Sequence, residues 1–311
     1  MLTIFNVVLP VFAILALGYT AVRAKLFPTE GVRGLVSFVN NYATPCLLFQ
    51  AMLSADFKTA FNPSIIVPFY IGALVSFVFG TIISIKVFKK RPGEGVASGF
   101  AATFTNTVLI GIPIVQRAFG QEAMPIVYSI IAFHSPCLIT GAMIVMEFVR
   151  RDGRPLREVL PGAGKRIAQN PLLWGVAAGF ICNIAGLKLP EPGTAFFTMM
   201  SQAVQPAALF GLGGALNEYK ISESWLESSV MALFKLIIHP TIAYLIMIPI
   251  LHVPMEFARY GILMAGMPTG INAYVFATFY NRGIGVSNST ILITTALSVL
   301  TSTFWLYVLS G

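Results

Sequence analysis

A chain of 311 residues that is 56% hydrophobic and 10% charged cannot cover a water-facing surface, for which soluble domains use about 25% charged residues. Its formal net charge of +8 would suit a nucleic-acid partner, but the basic residues fall where membrane topology puts them. Cys46, Cys137 and Cys182 lie in apolar runs without motif spacing, which excludes a disulfide framework and a cysteine metal site.

Apolar runs of about 20 residues, enough to span a bilayer, occupy approximately 2–22, 34–54, 64–87, 96–117, 123–149, 169–187, 194–217, 225–251, 257–280 and 288–309. They predict an all-α membrane protein of ten transmembrane helices. The first run has neither the basic n-region nor the short core of a secretory signal, so it reads as a retained helix. The connections are short. The longest, Arg150 to Arg166, is basic and rich in Gly and Pro, and no soluble domain fits between spans.

Fifteen Lys and Arg residues fall in odd-numbered connections and four in even-numbered ones (Lys58, Arg117, Lys188 and Arg259); Lys235 lies inside the eighth run. The positive-inside rule then places the odd connections in the cytoplasm and both termini outside.

Three short matches recur at nearly constant offsets: Pro45-Cys46-Leu47-Leu48-Phe49 with Pro206-Ala207-Ala208-Leu209-Phe210 (161), Gly111-Ile112-Pro113 with Gly266-Met267-Pro268 (155), and Phe27-Pro28 with Leu189-Pro190 (162). They predict a duplication, with residues 1–150 as the first five-helix repeat, 151–168 as a cytoplasmic linker and 169–311 as the second. An odd number of helices per copy requires the second to be inverted, and such repeats supply the two access states of a carrier.

Helices 4 and 9 carry the matched Gly-x-Pro near mid-span. Proline removes a donor and clashes with the preceding turn, and in lipid a broken helix is tolerated only where protein or a water-filled cavity satisfies the freed groups. Each break has an Asn beside it, Asn106 and Asn272. Either residue could glue helices together. Placed at two matched breaks, they read better as substrate contacts that meet across the crossing near the midplane. Thr269 and Gly270 follow directly and could expose backbone amides.

These residues also carry a family likeness. Asn106-Thr107-Val108-Leu109-Ile110-Gly111-Ile112-Pro113 resembles the broken fourth helix of the auxin efflux carrier family, which includes plant auxin carriers and bacterial malonate and malate permeases. Met267-Pro268-Thr269-Gly270-Ile271-Asn272-Ala273-Tyr274-Val275-Phe276-Ala277 resembles its ninth helix. The resemblance implies a bacterial inner (plasma) membrane protein with a scaffold of helices 1, 2, 6 and 7, often dimeric, beside a transport domain of helices 3–5 and 8–10. Helices 4 and 9 would cross at their prolines and move by an elevator mechanism. Asn106, Thr107, Gly111, Pro113, Pro268, Thr269, Gly270 and Asn272 would then form the substrate site. Plant members have an Asp and a Lys near the start of helix 3, where this chain reads Pro63-Ser64-Ile65-Ile66-Val67-Pro68.

The ionisable residues within spans are Lys235, His239 and His134; all carboxylates read as lying in or beside connections, with Glu147 and Glu218 nearest the apolar core. Lys235 and His239, four apart, share a helix face. They are either coupling groups or, for Lys235, a side chain that snorkels to the cytoplasmic surface. His134, beside Pro136, is either a packing residue or a cavity-lining donor that adds positive charge when protonated. Thr290, Thr294, Ser298 and Thr301 form a stripe on helix 10 that reads as packing.

A secondary transporter of a small organic anion, a mono- or dicarboxylate, fits this pattern. The amino ends of two half-helices would supply roughly half a positive charge each, and no acidic group faces them. Proton-linked or uncoupled transport fits better than sodium coupling. A passive channel is the alternative. An intramembrane enzyme lacks paired carboxylates, an H-E-x-x-H and an activated nucleophile. Neither a metal nor a cofactor is expected.

Overall fold

The computed structural model describes residues 2–54, 61–150, 169, 171–221 and 224–310. Among them the secondary structure is helical, apart from one isolated backbone bridge between Thr105 and Thr269. The expected linker at 151–168 and Lys58 lie outside the described residues.

Among the described residues, five helical stretches are long and apolar enough to cross a membrane: Asn6–Arg23, Pro63–Lys86, Gln121–Val149, Trp225–Ile250 and Ile284–Val308. They lie within α1 (Leu2–Arg23), α4 (Pro63–Lys86), a unit ending in α7 (Met124–Arg150), a composite of α10 (Trp225–Leu233) and α11 (His239–Leu245), and α14 (Ile284–Val308). The other helices are α2 (Thr29–Phe38) and α3 (Thr44–Leu53), α5 (Pro92–Ala101) and α6 (Ile112–Phe119), α8 (Pro171–Ile184), α9 (Glu191–Ala215), and α12 (Met255–Ala265) and α13 (Asn272–Tyr280). α9 has 25 residues, but Thr194, Thr198, Ser201 and Gln202 make its first half polar.

Proline position explains the composite helices. Wide turns with i to i−5 hydrogen bonds at Val39–Ala43, Thr107–Gly111 and Phe234–Ile238 each run directly into a helix whose second residue is proline: Pro45, Pro113 and Pro240. Proline offers no amide to the carbonyl four residues back. The chain widens by one residue per turn, so the amide before it reaches one carbonyl further: Thr44 to Val39, Ile112 to Thr107 and His239 to Phe234. Gly111-Ile112-Pro113 is therefore not the break expected from the sequence. The chain leaves the helix earlier, between Ala101 and Thr107, whereas Pro268 does lie within its break, between Ala265 and Asn272. The sequence match that aligned the two prolines is out of register with the backbone.

Glycines set the closest helix packing. A Cβ on Gly213 of α9 would overlap the Leu15 carbonyl of α1, and one on Gly175 of α8 would overlap the Pro45 carbonyl of α3. Such contact between small residues is how apolar helices associate where the hydrophobic effect gives no drive. It also accounts for Gly211-Leu212-Gly213-Gly214 as a packing motif.

Candidate functional site

The two breaks meet. Thr105 pairs with Thr269 in an antiparallel bridge, with the Asn106 amide on the Pro268 carbonyl (2.8 Å) and the Gly270 amide on the Phe104 carbonyl (2.9 Å). Two interrupted helices thus satisfy each other's freed backbone groups, which is what lets irregular chain persist inside an apolar body.

Side chains complete the crossing. The Thr105 amide donates to His134 Nε2 of α7 (3.1 Å), and the Thr269 amide donates to Thr294 Oγ1 of α14 (3.1 Å). The last carbonyl of each leading half-helix also has a partner. Ala101 accepts from Thr269 Oγ1 at 2.8 Å, and Ala265 accepts from Lys235 Nζ at 2.6 Å.

The expected site residues separate into different jobs. Asn106, 5% exposed, caps the second half of the first broken segment, its Oδ1 accepting from the Leu109 amide at 3.2 Å. Its Nδ2 is buried without a hydrogen-bond partner. Asn272 opens α13 with an exposed side chain. Thr107 is buried beside Asn106, its amide on the Thr105 carbonyl (2.9 Å). Pro113 is buried in α6. Gly111 and Gly270 allow close approach: a Cβ would stand 2.9 Å from Met264 Sδ and 3.0 Å from the Phe104 ring, respectively.

The amides of Thr269 and Gly270, expected to be open to a ligand, are both occupied by protein acceptors. His134 is also corrected as a source of positive charge: its Nε2 accepts a hydrogen bond, so the ring is neutral with its proton on Nδ1. That Nδ1 is buried and unpartnered, and the ring lies 4.6 Å from Phe104 and 5.9 Å from Phe69, centroid to centroid. Lys235 does not snorkel. It is fully buried, with His239 Nδ1 3.2 Å from its ammonium and His239 Nε2 2.9 Å from the Phe69 carbonyl.

Two features have no signal in the sequence pattern. A cavity of about 530 Å³ adjoins α6, lined by Gln50 of α3, Gln116 of α6, Gln121, Tyr128 of α7, and Gln202 and Gln205 of α9. Its wall is hydrogen-bonded across helices, with Gln205 donating to Gln116, Gln50 to Thr198 (3.0 Å) and Ser201 to Gln50 (3.1 Å). The second is Glu227, 1% exposed in the first turns of α10. It accepts from Ser84 Oγ (2.6 Å) and Ser98 Oγ (2.7 Å) and lies 3.8 Å from Lys90. This carboxylate is further inside the protein than Glu147 and Glu218, and it fastens α4, α5 and α10 together.

Two interrupted apolar segments joined at their breaks, with a polar cavity against one of them, fit a membrane transporter. The chain belongs to the family described as membrane transport protein, whose profile matches residues 3–154 and 145–306. It is 28% identical over 311 residues to a Rhizobium meliloti (strain 1021) protein named as a malonate transporter, covering 99% of this chain and 97% of that one. It is 23% identical to the transporter YfdV of Escherichia coli (strain K12), over 99% and 98% of the two chains. It is 22% identical to auxin efflux carrier component 5 of Arabidopsis thaliana, over 89% and 88%. These relatives are transporters, and this chain is one, not an enzyme.

Proposed function

We propose that the protein is a secondary transporter that moves a small organic anion, a mono- or dicarboxylate, by elevator-type alternating access. The crossing of the two breaks at Thr105 and Thr269 carries this reading. It brings the amino ends of the segments starting at Thr107 and Asn272 to one place, each worth roughly half a positive charge. Asn106 and Asn272 stand at those ends, with Thr107, Thr269 and His134 around them and the glutamine-lined cavity as the approach. A cation would meet no carboxylate of the described residues there and would keep an unmatched charge. The name of the Rhizobium relative points to the same substrate class.

Internal pairings support ten spans in two inverted repeats, 1–150 and 169–311. α1 packs on α9 and α8 on α3, which are spans 1 with 7 and 6 with 2, and both contacts are made through glycine. Span 5 supplies the acceptor for the first break and span 10 the acceptor for the second. In this reading spans 1, 2, 6 and 7 form the scaffold, through which two copies pair by family likeness. Spans 3–5 and 8–10 move, and both termini lie outside the bacterial inner membrane.

The test is uptake of labelled malonate, malate and indole acetate by the purified protein in liposomes, beside a labelled cationic amine. Saturable uptake of one or more of the acids supports the reading, and transport of the amine alone overturns it.

A further inference from the structure

Among the described residues, the buried nitrogen of Lys235 has no carboxylate partner. Its contacts are the Ala265 carbonyl at 2.6 Å and His239 Nδ1 at 3.2 Å, and it is the one Lys or Arg that is fully buried among the described residues. The Phe69 carbonyl only accepts, so His239 Nε2 carries the ring proton and donates to it at 2.9 Å, which leaves Nδ1 as the acceptor for Lys235 Nζ. The result is a chain of hydrogen bonds from α12 through Lys235 and His239 to α4. Ala265 is the last residue of α12. A helix carboxyl end carries about half a negative charge, and transporters that use a free cation hold it at such half-helix ends and unwound carbonyls. The other leading half-helix ends at Ala101, whose carbonyl takes the neutral hydroxyl of Thr269 instead. One of the two carboxyl ends is therefore capped by a lysine side chain.

We propose that Lys235 is a positioning residue that acts as the resident cation of the crossing. Its ammonium takes the place of a free coupling ion at the end of α12, and the protein carries its anion without sodium or potassium. This rests on the anion-carrier reading above. Lys235 is fully buried, and its polar contacts are with protein atoms. It holds the second break in the geometry that presents Asn272, and its positive charge, unpaired with any acid among the described residues, offsets the negative end of α12.

The test has three arms on the purified chain in liposomes or detergent. Wild-type malonate uptake should be equal within twofold in sodium, potassium and N-methylglucamine chloride, and a tenfold stimulation by sodium would overturn the proposal. Lys235→Met, of similar length without charge, should lose at least tenfold in uptake, and uptake at the wild-type rate would also overturn it. Lys235→Ala leaves a space the size of n-propylammonium. That amine should raise the variant's melting temperature and restore part of its uptake, while n-propanol should not; equal rescue by both would reduce Lys235 to filled volume and overturn its role as a cation. If both variants fail to fold, the sodium arm on the wild type still decides. If the wild type carries no acid, the carrier reading fails, and the melting response of Lys235→Ala to the amine still reports on the cation site.

Discussion

Thr105 and Thr269, from opposite halves of the chain, form an antiparallel bridge in which each residue's amide is claimed by a different helix, one through His134 and one through Thr294. The bridge itself is backbone to backbone, and the groups around it, the Thr269 hydroxyl on the Ala101 carbonyl among them, hold it in place. That makes the neighbours the informative positions for mutation.

His134→Phe removes the acceptor of the Thr105 amide and leaves a buried donor unpaired, which costs about 1–3 kcal/mol. Phenylalanine keeps the contact with Phe104 and Phe69, so packing alone predicts little change. A lowered melting temperature together with reduced uptake is expected. A variant as stable and active as wild type would show that the Thr105 amide needs no partner.

Asn106→Ala and Asn272→Ala should behave differently although the sequence presents them as a pair. Asn106 caps a buried helix start, and loss of such a cap costs about 1 kcal/mol of stability. Asn272 is exposed at the start of α13, so its removal should leave the melting temperature unchanged and raise KM for the carried acid. Steady-state uptake beside thermal denaturation separates the two, and equal effects on both readouts for both variants would contradict the division of roles.

Gly213→Leu and Gly175→Leu should each disrupt one helix pair, because a side chain at either site meets backbone and not a movable side chain. Overpacking typically costs about 1–3 kcal/mol, and more is expected here because the obstacle is a carbonyl. The readout is the yield of folded protein and its melting temperature, with Gly34→Leu as control, since a Cβ there meets nothing within 4 Å.

How far the sequence reveals this architecture depends on whether a residue's partner is local. The breaks are legible because Gly, Pro and Asn are poor residues for the interior of an uninterrupted apolar helix. Their register is not, because the wide turn at Thr107–Gly111 absorbs Pro113 without breaking the helix, and proline spacing alone does not show which remedy the backbone takes. Lys235 is visible as an intramembrane charge, but its partner is a main-chain carbonyl on another helix, a group with no sequence signature. Glu227 is hard to single out because a carboxylate in the first turn of an apolar run reads as a solvated helix end. The hydroxyls of Ser84 and Ser98 that enclose it come from two other helices. The cavity wall is hidden for the same reason: its five glutamines come from four separate segments, united only by packing.

Glu227→Gln tests that fastening. The amide is the same shape but lacks the charge that shortens and strengthens bonds from hydroxyls, so the melting temperature should fall while KM stays constant, because the residue bonds to Ser84 and Ser98 and not to the groups of the bridge. Glu227→Ala should fall further. An altered KM in Glu227→Gln would connect the fastening to the substrate site.

The most direct test of anion carriage at the crossing is counterflow: labelled malonate outside, and unlabelled malonate at high concentration inside, liposomes containing the wild type or Asn272→Ala. The carrier reading predicts a transient accumulation of label above equilibrium that saturates with external malonate, and in Asn272→Ala a shift of that saturation to higher concentration. Label that only equilibrates, at a rate linear in concentration and unchanged by the substitution, would contradict alternating access at this site.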